Sequence, residues 1–542
     1  MCALAGISHA EPAKTPAQPR IVNIYNFIRN SDYRMQDSES IMLETTRKQI
    51  ELIKPTGLPA TWALQYDALI NPKYRALLKE QVPPNHEIAA WWEIPRPLVE
   101  KAGIKWRGHN HEWDSTANVG FSPGYTPDER RKLVDVYMEE FKKVFGRYPK
   151  SAGSWFIDEV TLDHMVKRYG IVASCNCKDQ VGTDGYTLWG GYWNQAYYPS
   201  RLNSYMPAQT KAGQIDVPVF RMLGSDPIYQ YGRVHGMYTL EPVYSNSGGS
   251  EKWVNWFMKN LIEQPSLAFA YTQAGQENSF GWEGMKNGLS MQIPLLEKQS
   301  KAGEIQVMTL QQSGEWFKKQ HPLTPPTSMV CMDDWKNEGR RTVWYNSRFY
   351  RMNLLWEKDA FFIRDLHRFD EKVESVTHQR ALTTSHLAYG TLPVMDGSLW
   401  SDKQQAGIRP VILSADGNSS LMVPDGAPVV KELNQTDLAI SQPLAGGGMF
   451  HIVCRESSVT CTGVDAQNQP LRWAWDMAGG EAQKAALRNL FEDKLSYQSE
   501  GIAYELRLAD KSGSFQQLAD GVVRIVSNPS GKIVLSVGGS GF

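Results

Sequence analysis

The nine residues Trp106-Arg107-Gly108-His109-Asn110-His111-Glu112-Trp113-Asp114 gather one arginine, two histidines, two carboxylates and two tryptophans around a glycine. Imidazoles two residues apart share a face if the backbone there is extended, because side chains along a strand alternate with period two. The run then offers half of a divalent-metal site, an acid/base centre, or flat apolar faces for a sugar ring. Two histidines make an incomplete ligand set. Asp32, Glu93 and His235 are the third-ligand candidates, none at a diagnostic spacing. A divalent metal at His109/His111 is the secondary reading, and no cofactor the primary one.

These residues need elements to position them. From about residue 21 to 320, strand-like and helix-like segments alternate. Ile21–Ile28, Ala60–Tyr66, His86–Glu93, Ser151–Asp158, Ile171–Cys177, Ile215–Leu223, Leu267–Gln273 and Ile305–Leu310 read as strands. Helical patterns separate most of them, the clearest being Pro127–Phe145, with Asp128 and Glu129 in its first turn. Repeated strand–helix units predict a parallel sheet, and seven or eight strands predict a (β/α)7-8 barrel. No glycine-rich phosphate loop follows the first strand, which argues against an open nucleotide-binding sheet. After Pro325-Pro326 the pattern changes to short β runs separated by Gly, Asn, Asp and Ser, as in a β-sandwich. The expected division is 1–20 as leader and linker, 21–325 as barrel, and 326–542 as a β-rich C-terminal domain.

In such barrels the working residues sit at the C-terminal ends of the strands. Read there, the chain gives Arg29 and Asp32, then Glu93, then Arg107, His109 and His111, then Asp158, Asp179, Arg221, and finally Gln276, Glu277 and Asn278. Glu277 lies in an amide-rich, glycine-flanked loop, a poor place for a purely structural carboxylate. Asp158 follows a strand directly, but it also precedes a helix, where an aspartate serves as an N-cap. Two carboxylates on separate strands across a barrel mouth meet the requirement of glycoside hydrolysis for an acid and a nucleophile or base. The segment 178–203 is long for a connection and rich in aromatics. Tyr186, Trp189, Tyr192, Trp193, Tyr197 and Tyr198 could stack sugars there, and Asp179 and Asp184 could hold hydroxyls.

Composition restricts the partners. The chain has 542 residues, 42% of them hydrophobic and 21% charged, with a net charge of -1. That balance gives no electrostatic reason to bind nucleic acid, and no apolar run approaches the length of a membrane span. Eighteen tryptophans and 23 tyrosines, many beside Gly, Asn and Gln, suit an amphipathic ligand such as a glycan. Six cysteines in so long a chain are not a disulfide framework. Residues 1–10 read as the tail of a signal peptide, with Ser8-His9-Ala10 as a small-x-small cleavage site, so a secreted or periplasmic location is expected.

The order Ile21–Asn30, Gly57-Leu-Pro-Ala-Thr-Trp62, His86-Glu-Ile-Ala89 resembles the glycoside hydrolase/deacetylase superfamily, whose members fold as (β/α)7-type barrels, many with a β-rich C-terminal domain. Wider stretches, including DQVGTDGYTLWGGY, QAGQENSFGW and TLPVMDGSLWS, resemble an exported bacterial family of unassigned function. The superfamily's metal-dependent deacetylases carry an Asp-Asp pair at the end of strand one, where this chain has Phe27-Ile-Arg-Asn30. Trp91 and Trp92 stand where their histidine pair is expected. Its retaining glycosidases place one acid on a middle strand and another near the seventh, an arrangement that Asp158 or Glu159, with Glu277, would match. The expectation is therefore a glycoside hydrolase with Glu277, Asp158, His109 and His111 as its catalytic set. Glu93, Arg107, Asp179, Asp184, Trp189, Trp193, Arg221, Gln276 and Asn278 would contact the glycan. A metal-dependent carbohydrate deacetylase using His109/His111 and a non-catalytic glycan-binding protein are the alternatives.

Overall fold

The protein is described from a computed structural model at residues 18–183, 185–232, 237–518 and 521–538. The expected leader with its Ser8-His9-Ala10 site, Asp184 and His235 lie outside the described residues. The first strand, Arg20–Ile28, sets the pattern for the barrel. Ile21, Tyr25 and Phe27 join the cluster inside the ring, whereas Val22, Ile24 and Ile28 join the cluster shared with the surrounding helices. This is the period-two alternation of a strand buried on both faces.

Six further strands run parallel to it. Thr61–Leu64, Glu87–Trp91, Ser151–Gly153, Ala173–Asn176 and Val219–Arg221 follow on one side, and Ala270–Ala274 pairs with the first strand on the other. A short eighth strand, Gln306–Met308, pairs with the beginning of the first. The barrel is nearly closed. Between Val219–Arg221 and Ala270–Ala274 no strand ladder forms among the described residues, and the open side of Val219–Arg221 takes the antiparallel strand Ala196–Tyr197. Two glutamine side chains close this seam. The Gln195 side-chain oxygen accepts the Tyr271 N–H at 2.7 Å while its backbone carbonyl accepts the Arg221 N–H at 2.8 Å. From the other side, the Gln273 oxygen accepts the Leu223 N–H at 3.2 Å.

The helices form where the sequence supplies both ends and a face. Pro127–Phe145 begins with a reciprocal capping box between Thr126 and Glu129 and stops at left-handed Gly146. Its Leu133, Val134, Tyr137, Met138 and Phe141 stripe is buried. No described helix is long and apolar enough to cross a membrane. The five described cysteines are buried free thiols.

From Thr327 onward all the described strands but Leu387–Ala388 are antiparallel, in sheets of ten and eight strands. Phe450 of the smaller sheet packs edge-on to Trp473 and Trp475 of the larger at 4.7 and 5.6 Å, forming the core of a β-sandwich. A third, three-stranded sheet joins the two parts of the chain. Its hairpin, Gln180–Thr183 and Tyr186–Leu188, lies in the segment expected to be a loop, and Leu387–Ala388 completes it in parallel.

If the seam depends on side chains, Gln195→Ala should remove an acceptor that no ladder replaces. The expected cost is about 1–3 kcal/mol, that of one buried unsatisfied donor, read from urea denaturation.

Candidate active site at the barrel mouth

The alternation of the first strand carries past its end. After inward Tyr25 and Phe27, the next inward position is Arg29; in the third strand, inward Ala89 and Trp91 lead to Glu93. Both side chains arrive in the top layer of the ring and meet there. The Arg29 guanidinium donates to both Glu93 oxygens, at 2.8 and 2.6 Å, and to Glu277 at 2.7 Å. Its face lies 4.4 Å from the Trp113 ring. All three charged groups are buried. Charge-assisted, bidentate contacts of this kind are the ones strong enough to compensate for burying ions.

Glu277 is delivered by a turn three residues after the seventh strand. Gly275 has φ 96°, and a Cβ there would overlap the backbone of Tyr25, so only glycine lets the chain cross the first strand at this point. Asn278 locks the turn: its side-chain oxygen accepts the Arg29 N–H at 3.0 Å and its amide donates to the Arg29 carbonyl at 2.8 Å.

A cavity of about 330 Å³ opens above this layer. Glu277, Arg29, Asp32, Arg34 and Glu241 supply its charges, Gln180 an amide, and Trp155, Tyr186, Tyr244 and Phe280 its aromatic faces. Glu241 escaped the sequence reading. It follows no strand, lying instead on the excursion between the sixth and seventh strands, which returns to the ring where the Leu240 N–H donates to the Leu223 carbonyl at 2.9 Å. Counting strand ends could not find it; the only signal was an acidic residue before Pro242 in that long excursion.

The two glutamates differ in environment. Burial pushes both carboxyls above the usual range. Glu277 touches Arg29, whose positive charge favours its ionised form. Glu241 has neutral partners, the Thr239 hydroxyl at 2.8 Å and the Gln276 amide at 3.4 Å. The negative charge of Glu277 pushes it further up, and buried Lys178 pulls in the opposite direction. Burial also works on Asp32, but hydrogen bonds from Arg34 and the nearby arginine charges outweigh it and hold its carboxyl below the usual range. The cavity thus contains two carboxyls that burial raises, Glu277 with the Arg29 charge opposing the rise and Glu241 with the Glu277 charge adding to it.

Several expected site residues lie elsewhere. Asp158 does not line the cavity. It is the N-cap of Glu159–Tyr169, fully buried, and its oxygens accept from Thr161 N–H and hydroxyl, the Ser122 hydroxyl and Arg130. These contacts occupy the carboxylate completely and make it a structural anchor. His109 and His111 sit in a run of bends, not in an extended strand, so the shared-face premise fails. Both are exposed and flank the Tyr33 ring, at 6.1 and 5.5 Å between centroids. Arg107 lies over Tyr125 and donates to the Gly124 carbonyl at 2.6 Å.

Asp179 and Arg221 pair with each other at 2.6 Å, both buried beneath the hairpin. The Trp189 indole donates to Asp396 at 2.6 Å, and Trp193 stacks on Trp344 at 3.9 Å, so both belong to the junction with the C-terminal sheets. Tyr192, Tyr197 and Tyr198 are buried with their hydroxyls donated to carbonyls. Of the six expected platforms, Tyr186 lines the cavity. Gln276 touches it through Glu241, while Glu93 and Asn278 hold Arg29.

Among the described residues, the donors around His109/His111 do not make a metal site. Asp32 is tied to Arg34 and Glu93 to Arg29. His109 has Asp114 beside it at 3.5 Å. Among the described residues no three His, Cys, Asp or Glu side chains are grouped to share an ion.

No family model and no curated protein matches this chain. Solved structures do. A protein from Parabacteroides distasonis, described as a candidate glycoside hydrolase/deacetylase, aligns with 69% of this chain and 92% of its own at 14% identity and a TM-score of 0.49. A candidate polysaccharide deacetylase from Mycobacterium smegmatis aligns with 59% of this chain and 97% of its own, at 14% identity and a TM-score of 0.37. A family 4 acetyl xylan esterase from Clostridium thermocellum, solved with a cobalt ion, aligns with 56% and 94%, at 11% identity and a TM-score of 0.26.

Arg29→Met should leave Glu93 and Glu277 buried without a cation. A loss of about 3–5 kcal/mol is expected in chemical denaturation, the usual cost of removing one partner from a buried ion pair. Asp158→Ala should cost a similar amount by taking from buried Arg130 its anionic partner, and it should do so by lowering stability without shifting the pH profile of turnover.

Proposed function

We propose that the protein is a carbohydrate-active hydrolase whose chemistry is carried by Glu241 and Glu277. The observation that supports this reading is the pair itself: two buried carboxyls on one aromatic-walled cavity, one in contact with Arg29 and the other with neutral groups. In this reading neutral Glu241 donates a proton to the departing oxygen, and charged Glu277 takes one from water or attacks the substrate. Arg29 keeps Glu277 ionised, and its own place is fixed by Glu93. Trp155, Tyr186 and Tyr244 offer faces to the apolar side of a sugar ring. Asp158 takes no part in the chemistry.

Two bonds fit such a pair. Glycosidic cleavage uses an acid and a second carboxylate directly. Removal of an acyl group is the second reading, because deacetylation is the activity printed for solved proteins of similar fold. The acid/base roles serve it equally, and no step is assigned to a metal, since the described donors around His109/His111 do not fit one.

A panel of glycans, native and acetylated, assayed together for new reducing ends and released acetate, decides between the bonds. Absence of both products across the panel sinks the proposal. Turnover needs Glu277 charged and Glu241 neutral. It should therefore fall as pH drops through the Glu277 pKa and again as pH rises through that of Glu241. Because burial raises both carboxyls, both limbs should lie at higher pH than for two ordinary glutamates. Glu241→Gln should abolish the upper limb and lower kcat about 10²–10⁴-fold. An unaltered pH profile in that variant would remove Glu241 from its role.

A further inference from the structure

The cavity wall made by Gln180 and Tyr186 is built by two parts of the chain. The hairpin that carries them, Gln180–Thr183 and Tyr186–Leu188, gains its third strand from Leu387–Ala388, in register Leu387↔Tyr186 and Ala388↔Thr187. The Leu387 N–H donates to the Gly185 carbonyl at 3.0 Å. At the turn, Gly185 has φ 82°, and a Cβ there would overlap the Ser385 carbonyl oxygen, so the two segments touch through backbone.

A chain of buried charges holds the base of the same hairpin. Asp179, the residue before Gln180, accepts from Arg221 of the sixth barrel strand and from Arg351 of the C-terminal strand Tyr350–Glu357. Arg351 also grips Asp365 with two contacts of 2.9 and 2.8 Å and donates to the Gly191 carbonyl at 2.9 Å. Asp365 lies 3.0 Å from His367, and Asp396, which approaches His367 at 3.5 Å, accepts the Trp189 indole N–H. Arg351, Asp365 and His367 are fully buried. The segment after Lys178 is thus fixed at its base by Arg351 and along its edge by Leu387–Ala388, both from the C-terminal part of the chain.

A β-sandwich that only added stability would bury apolar surface against the barrel's helices. This one spends a fully buried arginine and a strand on the wall of the cavity. We propose that the C-terminal β region is a working part of the site, in which Arg351 and the Leu387–Ala388 strand act as positioning elements that set the Gln180/Tyr186 wall against Glu241 and Glu277, and so set substrate affinity. This rests on the carbohydrate-hydrolase reading for its kinetic arm only.

Two variants outside the cavity lining test it. Arg351→Lys keeps the charge but loses the planar fork that spans Asp179 and Asp365. Gly185→Ala pushes the hairpin turn off Ser385. In the full-length protein, both should speed hydrogen exchange at the amides of Gln180–Gly182 and Tyr186–Leu188 without altering exchange in the Pro127–Phe145 helix. Both should raise KM on the panel substrate about tenfold or more while changing kcat much less, because the wall shifts and the carboxyl pair does not. General destabilisation would instead lower kcat through the active fraction and speed exchange everywhere. Unchanged hairpin exchange in both variants overturns the proposal, as does faster hairpin exchange with unchanged KM. If the wild type turns over nothing on the panel, the carbohydrate reading falls and exchange alone decides: faster at the hairpin supports the clamp, unchanged overturns it.

Discussion

One guanidinium organises the mouth of this barrel. Arg29 is buried, holds two carboxylates from two other strands, and is covered by Trp113. Each contact constrains a different segment: Glu93 follows the third strand, Glu277 follows the seventh, and Trp113 belongs to the run Trp106–Asp114. A buried charge tolerates little rearrangement, because any gap leaves an ion without water or partner. The geometry of the candidate site is therefore inherited from the ion pair, and the cavity above it takes its shape from the segments that Arg29 ties together.

Much of the ring was legible because burial on both faces leaves a simple trace. Alternating apolar strands with helical patterns between them lead to the parallel sheet, and the change after Pro325-Pro326 leads to the antiparallel sheets. Glu277 was legible too, as a carboxylate in an amide-rich loop after a strand. The same counting applied to inward positions pairs Arg29 with Glu93, since both continue the alternation of their strands into one layer. What the sequence cannot display is contact between distant segments. Glu241 reaches the cavity on an irregular excursion, and the hairpin at Gln180 shows as a sheet only once residues some two hundred positions later lie beside it.

The residues that misled did so for physical reasons. Asp158 follows a strand and precedes a helix, and both an active-site acid and an N-cap meet that description; its four donors decide for the cap. His109 and His111 invited a metal only if their backbone were extended, and it bends instead. The tryptophans of the aromatic segment looked suited to sugars because they sit among glycines. A Cβ on Gly190 or Gly191 would overlap His367, Thr391 or Tyr205, and Trp189 and Trp193 beside them contact Asp396 and Trp344. The opening run proves to be a strap: Arg96 donates to the Glu112 carbonyl, Ile94 to that of Gly120, and Trp113 lies against Arg29.

The glutamine seam bears on how this architecture can change. Ladder closure ties a ring to a fixed stagger between neighbouring strands. Side chains that bridge a gap impose no such register, so the excursion between the sixth and seventh strands can lengthen or shorten without dislodging either one, and the entropy cost of a longer loop grows only logarithmically. Glu241 rides on that excursion, whereas Glu277 and Arg29 are bound to the ladders. Related chains can therefore differ in one of the two carboxyls while keeping the other, and with it acquire new chemistry on an unaltered frame.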